Sequence, residues 1–500
     1  MEVLGFDILS LFSISNILAI LMGTLVGMLI GAMPGLGGPV AVVLLLPLTY
    51  AMTPLASILL LLAAYQAAEY GGSISSIILG IPGSPSAVAT TLDGNPLAKQ
   101  SSPGKALLYS LIASTIGGLV GGLLLVFLSI PISSFAIRFS EPEYFLLGIL
   151  GLIAVSVISS KDVTKSLISV VLGLIAGTIG MDALSGSPRF TFNRPELMNG
   201  LSMTTLMVSV FAFTEIFSMI SDELNKKYDV SAKKIRSKLS LKEFRGVIKP
   251  IGIGSIIGSF VGVMPGLGAS ASSWFAYSAA KKMSKSPETF GKGNPEGIAA
   301  PEAANNATVG GALVPLLALG IPGSPSIAIV MGAFIIHGIQ PGPSVFTNNA
   351  DLINGIFYGF LLTTLAMFII GRFLSPMYAK VLTVPVHILI PSILFLSIVG
   401  IYASVIMYFD LWFALIFGFA CFFLRKLEYS LPSFALAFVL CPIIEISLRR
   451  ALILSQGSYS VFIERPLSLA LIIIILVMVI GNIFGRFRKK KDAGPPAASI

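Results

Sequence analysis

Eight residues, LGIPGSPS, occur twice in this 500-residue chain, starting at Leu79 and again at Leu319. A second pair precedes them in the same order, GAMPGLG from Gly31 and GVMPGLG from Gly262. The first pair stands 240 residues apart and the second 231. Agreement over so long a stretch marks a duplicated structure, and what is duplicated is an apolar segment broken by glycine and proline. The chain is 55% hydrophobic and 11% charged, with mean hydropathy +0.93. A soluble domain carries about 25% charged residues. Apolar stretches of about 20 residues, the length that crosses a bilayer, recur from end to end. The expected fold is an all-α polytopic membrane protein. It has two inverted structural repeats with broken helices or re-entrant hairpins and about ten to twelve transmembrane segments.

The expected organisation is a first repeat with flanking transmembrane helices over 1–220, a basic loop over 221–249 and a second repeat over 250–374. C-terminal transmembrane helices follow over 375–485, then a basic tail over 486–500. Residues 55–69 and 72–90 read as separate apolar pieces. Those at 39–50 and 269–280 are too short to cross the hydrocarbon core and suit half-helices. The Gly117–Gly122 run (GGLVGG) suits close helix packing.

The net charge of +9 is not a nucleic-acid patch. Nine Lys/Arg lie between Asp222 and Lys249, including Lys233, Lys234, Arg236 and Lys238, and another group is Arg486, Arg488 and Lys489–Lys491. Both flank apolar runs, which places the loop and the C-terminus in the cytoplasm and allows contact with anionic membrane lipid. Lysines alternate between equivalent loops. Lys281, Lys282, Lys285 and Lys292 follow the second MPGLG unit but none follows the first; Lys99 and Lys105 follow the first IPGSPS unit but none follows the second. That alternation predicts repeats of opposite topology. The N-terminus lacks a basic leader and reads as the mature start. Cys421 and Cys441 read as packing residues.

Each IPGSPS or MPGLG unit should end one half-helix and begin another, because proline removes a backbone donor and glycine allows unusual dihedrals. A broken helix at mid-membrane offers free N–H groups to an anion and free carbonyls to a cation. The candidate substrate-binding residues are Gly35, Gly37, Gly83, Ser84, Ser86, Gly266, Gly268, Ser270, Gly323, Ser324, Ser326, Asn305 and Asn306. Ser84, Ser86, Ser324 and Ser326 are expected as N-caps. Ser73, Ser75, Ser76, Thr90, Asn95, Ser272, Ser273 and Thr308 could complete the site. Ionisable residues inside a membrane are functional candidates. Glu69 and Glu302 are therefore candidates for cation coupling, beside the turns at Pro34 and Pro265, with Na⁺ a potential occupant of the breaks. Each could equally be a structural partner for a hydroxyl or backbone group. Glu215, Asp410 and Glu445 are weaker candidates, and His337 a candidate proton relay. No Lys or Arg lies inside the four motifs, so helix dipoles, hydroxyls and co-bound cations would have to supply the positive potential for an anionic substrate, which favours cation coupling. No firm metal site and no cofactor is expected.

The stretches GAMPGLGG…YGGSISSIILGIPGSPSAVATTLDGNPLAK and GVMPGLGAS…PEAANNATVGGALVPLLALGIPGSPSIAIVMGAFIIHGIQPGP resemble the large membrane subunit (TctA-type) of the tripartite tricarboxylate transporter family. The resemblance covers essentially the whole chain. It implies a multi-pass importer of the prokaryotic plasma membrane, working with a small membrane subunit and an extracytoplasmic solute-binding protein. The implied substrates are citrate-like tricarboxylates or related carboxylates. Uptake would be driven by a Na⁺ or H⁺ gradient, with an elevator-like movement suggested by analogy. No GxxxxGK[ST] phosphate loop occurs, in keeping with uptake that uses no ATP. The alternative is a carboxylate exporter or channel working without a binding protein. A membrane-embedded enzyme is disfavoured: HExxH is absent and the only two histidines, His337 and His387, are far apart.

Overall fold

A computed structural model describes residues 7–158, 162–222, 238–381 and 386–492. Lys233, Lys234, Arg236 and the end of the basic tail, 493–500, lie outside them. Twenty α-helices follow in order among the described residues. The first repeat holds α1 (Ile14–Ala32), α2 (Gly37–Leu45), α3 (Pro54–Leu79), α4 (Val88–Gln100) and α5 (Pro103–Ala136). Then come α6 (Glu141–Ile158), α7 (Val163–Gly177), a hairpin of β1 (Gly180–Met181) and β2 (Pro188–Arg189), α8 (Met203–Val208) and α9 (Thr214–Asp222). A π-helical turn, Ser209–Phe213, joins α8 to α9 as one span. The second repeat holds α10 (Leu241–Val263), α11 (Gly268–Met283), α12 (Glu296–Leu319), α13 (Pro325–Ile336), the short α14 (Val345–Asn348) and α15 (Ala350–Val381). The chain closes with α16 (Val386–Val405), α17 (Tyr408–Lys426), α18 (Leu431–Leu454), the short α19 (Val461–Glu464) and α20 (Pro466–Asp492). Thus α15 runs through the expected boundary at 374, and α20 continues through the basic run.

Eight helices among the described residues are long and apolar enough to cross a membrane. With 26 and 24 residues, α3 and α12 are also long enough, but their polar residues keep them out of that set. Almost every side chain on both is buried, so they touch protein on all sides and never need lipid-compatible faces. The 55–69 and 72–90 pieces are not separate: α3 continues through Gly71 and Gly72. Those glycines do not break the helix but let neighbours close on it, since a Cβ at Gly71 would stand 2.6 Å from the Met28 carbonyl.

The repeats are held by glycine stripes spaced every four residues. Cβ atoms at Gly23, Gly27 and Gly31 of α1 would stand 2.2–2.3 Å from the carbonyls of Leu60, Ala64 and Ala68 on α3. On α10, Gly254, Gly258 and Gly262 meet Ala300, Ala304 and Thr308 of α12 in the same way. Gly117 and Gly121 of α5 meet Ala303 and Ala307, also on α12. Small residues are what let membrane helices approach to backbone contact. The registers make α1 parallel to α3, and α5 and α10 parallel to α12. By contrast, α3 opposes α12: Asn306 Nδ2 donates to the Gln66 carbonyl (3.2 Å), Asn305 Nδ2 to the Glu69 carbonyl (3.3 Å), and Ser73 Oγ to Glu302 (2.5 Å).

The outer helices pair across the two halves. Along α7 and α18, Ser430 N–H donates to Ser169 Oγ (3.1 Å) and Lys165 Nζ to the Leu427 carbonyl (2.8 Å). Along the α8–α9 span and α17, Thr205 Oγ1 donates to Asp410 (2.8 Å), and Arg425 pairs with Glu215. Cys421 and Cys441 are free and buried, as packing residues should be.

The loops gather at two ends. At one, Asp93 of α4 accepts the N–H groups of Gly291, Gly293 and Asn294 at 2.8–2.9 Å, Gln100 donates to the Lys292 carbonyl, and Lys105 pairs with Glu243. At the other, His337 Nε2 lies 2.8 Å from Ser57 Oγ, and Met203 packs at Gly332.

The β-hairpin is pinned to α18. Asp182 accepts the N–H groups of Leu184 (2.9 Å) and Ser185 (2.7 Å) and pairs with Arg449 (2.5 Å), while Arg189 pairs with Glu445. The Ser185 N–H, and after it Arg449, hold the Asp182 carboxyl below its ordinary value. A carboxylate lowered by folding stabilises fully above its unfolded value of about 4, and that contribution is lost as pH falls through the lower folded value. Protease cleavage within 180–200 should therefore stay slow in mild acid, and Asp182→Asn should be cleaved faster at neutral pH. Equal cleavage of both proteins at neutral pH would remove this role from Asp182.

Candidate functional site

The four motif turns have matching geometry. Gly35 and Gly266 both have φ +89°, Gly37 and Gly268 have +64° and +63°, and Gly80 and Gly320 have +73° and +74°. These left-handed values favour glycine, and Gly80 and Gly320 end α3 and α12 as left-handed caps. Within each repeat the two turns touch: Gly35 N–H donates to the Gly83 carbonyl (3.2 Å), and Gly266 N–H to the Gly323 carbonyl (3.1 Å). Each motif does end one helix and start another.

Around the IPGSPS turns, side chains from both repeats converge. Ser86 Oγ donates to Glu69 (2.5 Å) and lies 2.8 Å from Ser84 Oγ. Tyr65, one turn before Glu69 on α3, brings its hydroxyl to 3.3 Å from Ser324 Oγ, with Ser326 alongside. Asn305 of α12 adjoins Glu69, and its Oδ1 is buried without a hydrogen-bond partner among the described residues. The first turn of α2 closes the cluster. A Cβ at Gly38 would stand 2.8 Å from Glu69 Oε1, and one at Gly37 3.5 Å from Ser84 Cβ. Tyr65, Glu69, Ser84, Ser86, Asn305, Ser324 and Ser326 are all at most 5% exposed, and none of their hydrogen-bond partners among the described residues is basic.

The capping expectation holds for one serine of four. Ser324 Oγ accepts the Ile327 N–H at 3.3 Å and caps α13. Ser84 makes no cap bond, because its hydroxyl is turned to Ser86, and Ser86 and Ser326 lie inside the helical turns that follow.

Other candidates fall elsewhere. Gly35 abuts Glu215, and Gly266 abuts Val155 of α6, so the MPGLG turns also face the outer helices. Pro34 and Pro265 are half-buried beside them. A Cβ at Gly268 would meet nothing within 4 Å. No hydrogen bond joins half-buried Ser270 to the cluster, while Ser272, Ser273 and Thr308 tie α11 and α10 to α12. Asn306 anchors on α3 through the Gln66 carbonyl. Ser75 and Ser76 bond to the Gly72 carbonyl, and Asn95 to Ile77. Glu215, Asp410 and Glu445 are partnered by Arg425, Thr205 and Arg189.

Glu302 stands apart from the serine cluster. It accepts hydrogen bonds from Ser73 and Thr90 (both 2.5 Å), Ser110 (2.9 Å) and Ser114 (3.0 Å) and is fully buried. The sequence reading missed Tyr65, Asp93, Ser110 and Ser114. The signals were a tyrosine one turn before the intramembrane Glu69 and two serines one turn apart in an apolar helix.

Comparison with known proteins adds a family. Residues 17–436 match the model of the tripartite tricarboxylate transporter TctA family. The chain is similar to an Agrobacterium vitis protein described as an uncharacterized 52.8 kDa protein in the TAR-I ttuC′ 3′ region, with 37% identity over 478 residues and 95% of each chain covered. It also resembles an uncharacterized protein in the TAR-II ttuC′ 3′ region of the same organism. There the identity is 38% over 235 residues, covering 47% of this chain and 97% of that one. No solved structure matches.

Proposed function

The chain belongs to the tripartite tricarboxylate transporter TctA family and is a multi-pass membrane transporter component; from that premise we propose that it is the large membrane subunit of a binding-protein-dependent secondary importer. Its substrate is a citrate-like tricarboxylate or related carboxylate. Its partners are a small membrane subunit and an extracytoplasmic solute-binding protein. It sits in a prokaryotic inner membrane with the basic connection between α9 and α10 and the C-terminus in the cytoplasm.

The observation that carries this reading is the convergence of both IPGSPS turns on neighbouring residues of α3, Ser86 on the buried Glu69 carboxylate and Ser324 on the Tyr65 hydroxyl one turn before it, with no basic partner among the described residues. The hydroxyls of Ser84, Ser86, Ser324 and Tyr65 and the N-terminus of α13 can donate to a substrate carboxylate. Glu69 beside it would repel that anion in a dry site. A substrate anion and Glu69 tolerate each other only with a cation or proton between them, which makes ion coupling a requirement of the site. Inverted topology of the repeats is supported by three features: the opposed run of α3 and α12, the parallel pairing within each repeat, and the lysine-bearing loops gathered at one end. With α2, α4, α11 and α13 built on this core, the outer helices are the frame against which it moves, elevator-like.

The test is uptake into proteoliposomes carrying this chain and its small partner, with the binding protein outside and Na⁺ and H⁺ gradients imposed separately. Uptake of a labelled carboxylate should require the binding protein and follow one gradient. Carboxylate flux that ignores both would replace the importer with the channel or exporter alternative.

A further inference from the structure

The Glu302 cage is a second polar centre, distinct from the serine cluster. Six oxygens meet there: both carboxylate oxygens of Glu302 and the hydroxyls of Ser73, Thr90, Ser110 and Ser114. They come from four helices, with α3, α4 and α5 of the first repeat closing on α12 of the second. All five residues are fully buried. Glu302 has no Lys, Arg or His among its partners in the described residues. An ionised carboxylate buried without a counter-charge is costly even when hydrogen-bonded.

We propose that this cage is a Na⁺ site. Its donor set is all oxygen, the preference of a hard cation, and holds none of the nitrogen or sulfur that softer metals favour. Its single negative charge balances one monovalent ion, whereas a divalent ion would leave a positive charge in a dry interior. Hydroxyls suit the task because each can donate to the carboxylate, as they do here, or rotate and offer lone pairs to a cation.

Placement argues for coupling to the neighbouring cluster. Ser73 follows Glu69 by one turn on α3, Thr90 follows Ser86 by four residues, and Glu302 precedes Asn305 by three on α12. Three segments therefore carry one residue in each centre. An ion that enters the cage must part these hydrogen-bonded oxygens and so resets the spacing of the serine cluster. By linkage, each ligand then strengthens the other's binding. This assignment deepens the importer reading and rests on it for the role of the ion, but binding of the ion can be measured alone.

The experiment is thermal unfolding of the purified full chain in detergent, with Na⁺ titrated against choline at constant ionic strength and no substrate or partner protein present. Wild type should gain Tm with Na⁺, rising with the logarithm of its concentration above Kd, as binding to the folded state alone demands. Glu302→Gln should lose that gain. Thr90→Val and Ser110→Ala keep the carboxylate and should need at least about tenfold more Na⁺. If Glu302→Gln does not fold, those two variants carry the test. A wild-type Tm indifferent to Na⁺, or variants that all titrate as wild type does, would overturn the site. Because the assay contains no substrate, its failure leaves the uptake result standing, and failed uptake leaves the ion site standing.

Discussion

Gly258→Val is expected to deplete the folded protein, while Gly252→Val on the same helix leaves it intact. A Cβ at Gly258 would stand 2.2 Å from the Ala304 carbonyl and 2.7 Å from its Cα. Both are backbone atoms of a buried helix, so no rotamer change relieves the clash, and α10 would have to lift off α12. Overpacking that side chains can absorb already costs about 1–3 kcal/mol, and separating two helices costs more. Gly252 has nothing within 4 Å of its would-be Cβ and is exposed on the outer face of α10. Gly27→Val should repeat the effect in the first repeat, where Ala64 occupies the equivalent place. Yield of monodisperse protein after detergent extraction and its Tm are the readouts. A Gly258→Val protein that melts within a few degrees of wild type would mean that the two helices do not pack at backbone distance.

The pattern that makes this prediction was present in the sequence as G-x₃-G-x₃-G at Gly23–Gly31 and again at Gly254–Gly262, a third duplicated motif that the more conspicuous proline turns overshadow. The turns themselves were legible because glycine and proline carry a local backbone instruction that needs no partner to be read. Serine carries no such instruction. A hydroxyl after a helix break can cap the next helix, as Ser324 does, or turn to a neighbour, as Ser84 does, and only the packing decides. Ser270 lies two residues beyond the second MPGLG unit, yet that turn faces α6, and the cluster is closed by α2 of the first repeat instead. The carboxylates show the same limit. Counting back from the two LGIPGSPS units, Glu69 corresponds to Val309 and Glu302 to Leu62. Duplicated positions have thus diverged into two unlike centres, one of mixed hydroxyls with a buried amide and one of hydroxyls alone around a carboxylate. Nothing in either local sequence says which is which, because the Glu302 centre takes all four hydroxyls from the first repeat and the Glu69 centre takes Asn305, Ser324 and Ser326 from the second.

Those unlike surroundings give Glu69 a sharp expected phenotype. Glu69→Gln keeps the side-chain shape and an acceptor for Ser86, so the protein should extract and melt like wild type. What it removes is the charge that draws a cation to the substrate's side. A charge-assisted contact is worth about 1.5–3 kcal/mol, which corresponds to roughly a ten- to hundredfold loss of uptake rate at low substrate. The loss should be accompanied by a changed dependence on the driving ion, because the anion no longer needs a positive partner to sit beside residue 69. Ser86→Ala should cost less, since Ser84 and the first turn of α2 still surround the carboxylate. A purely structural Glu69 would give the reverse pattern: a lower Tm with the ion dependence of residual uptake unchanged. Wild-type uptake and wild-type ion dependence in a well-folded Glu69→Gln protein would take Glu69 out of the transport site.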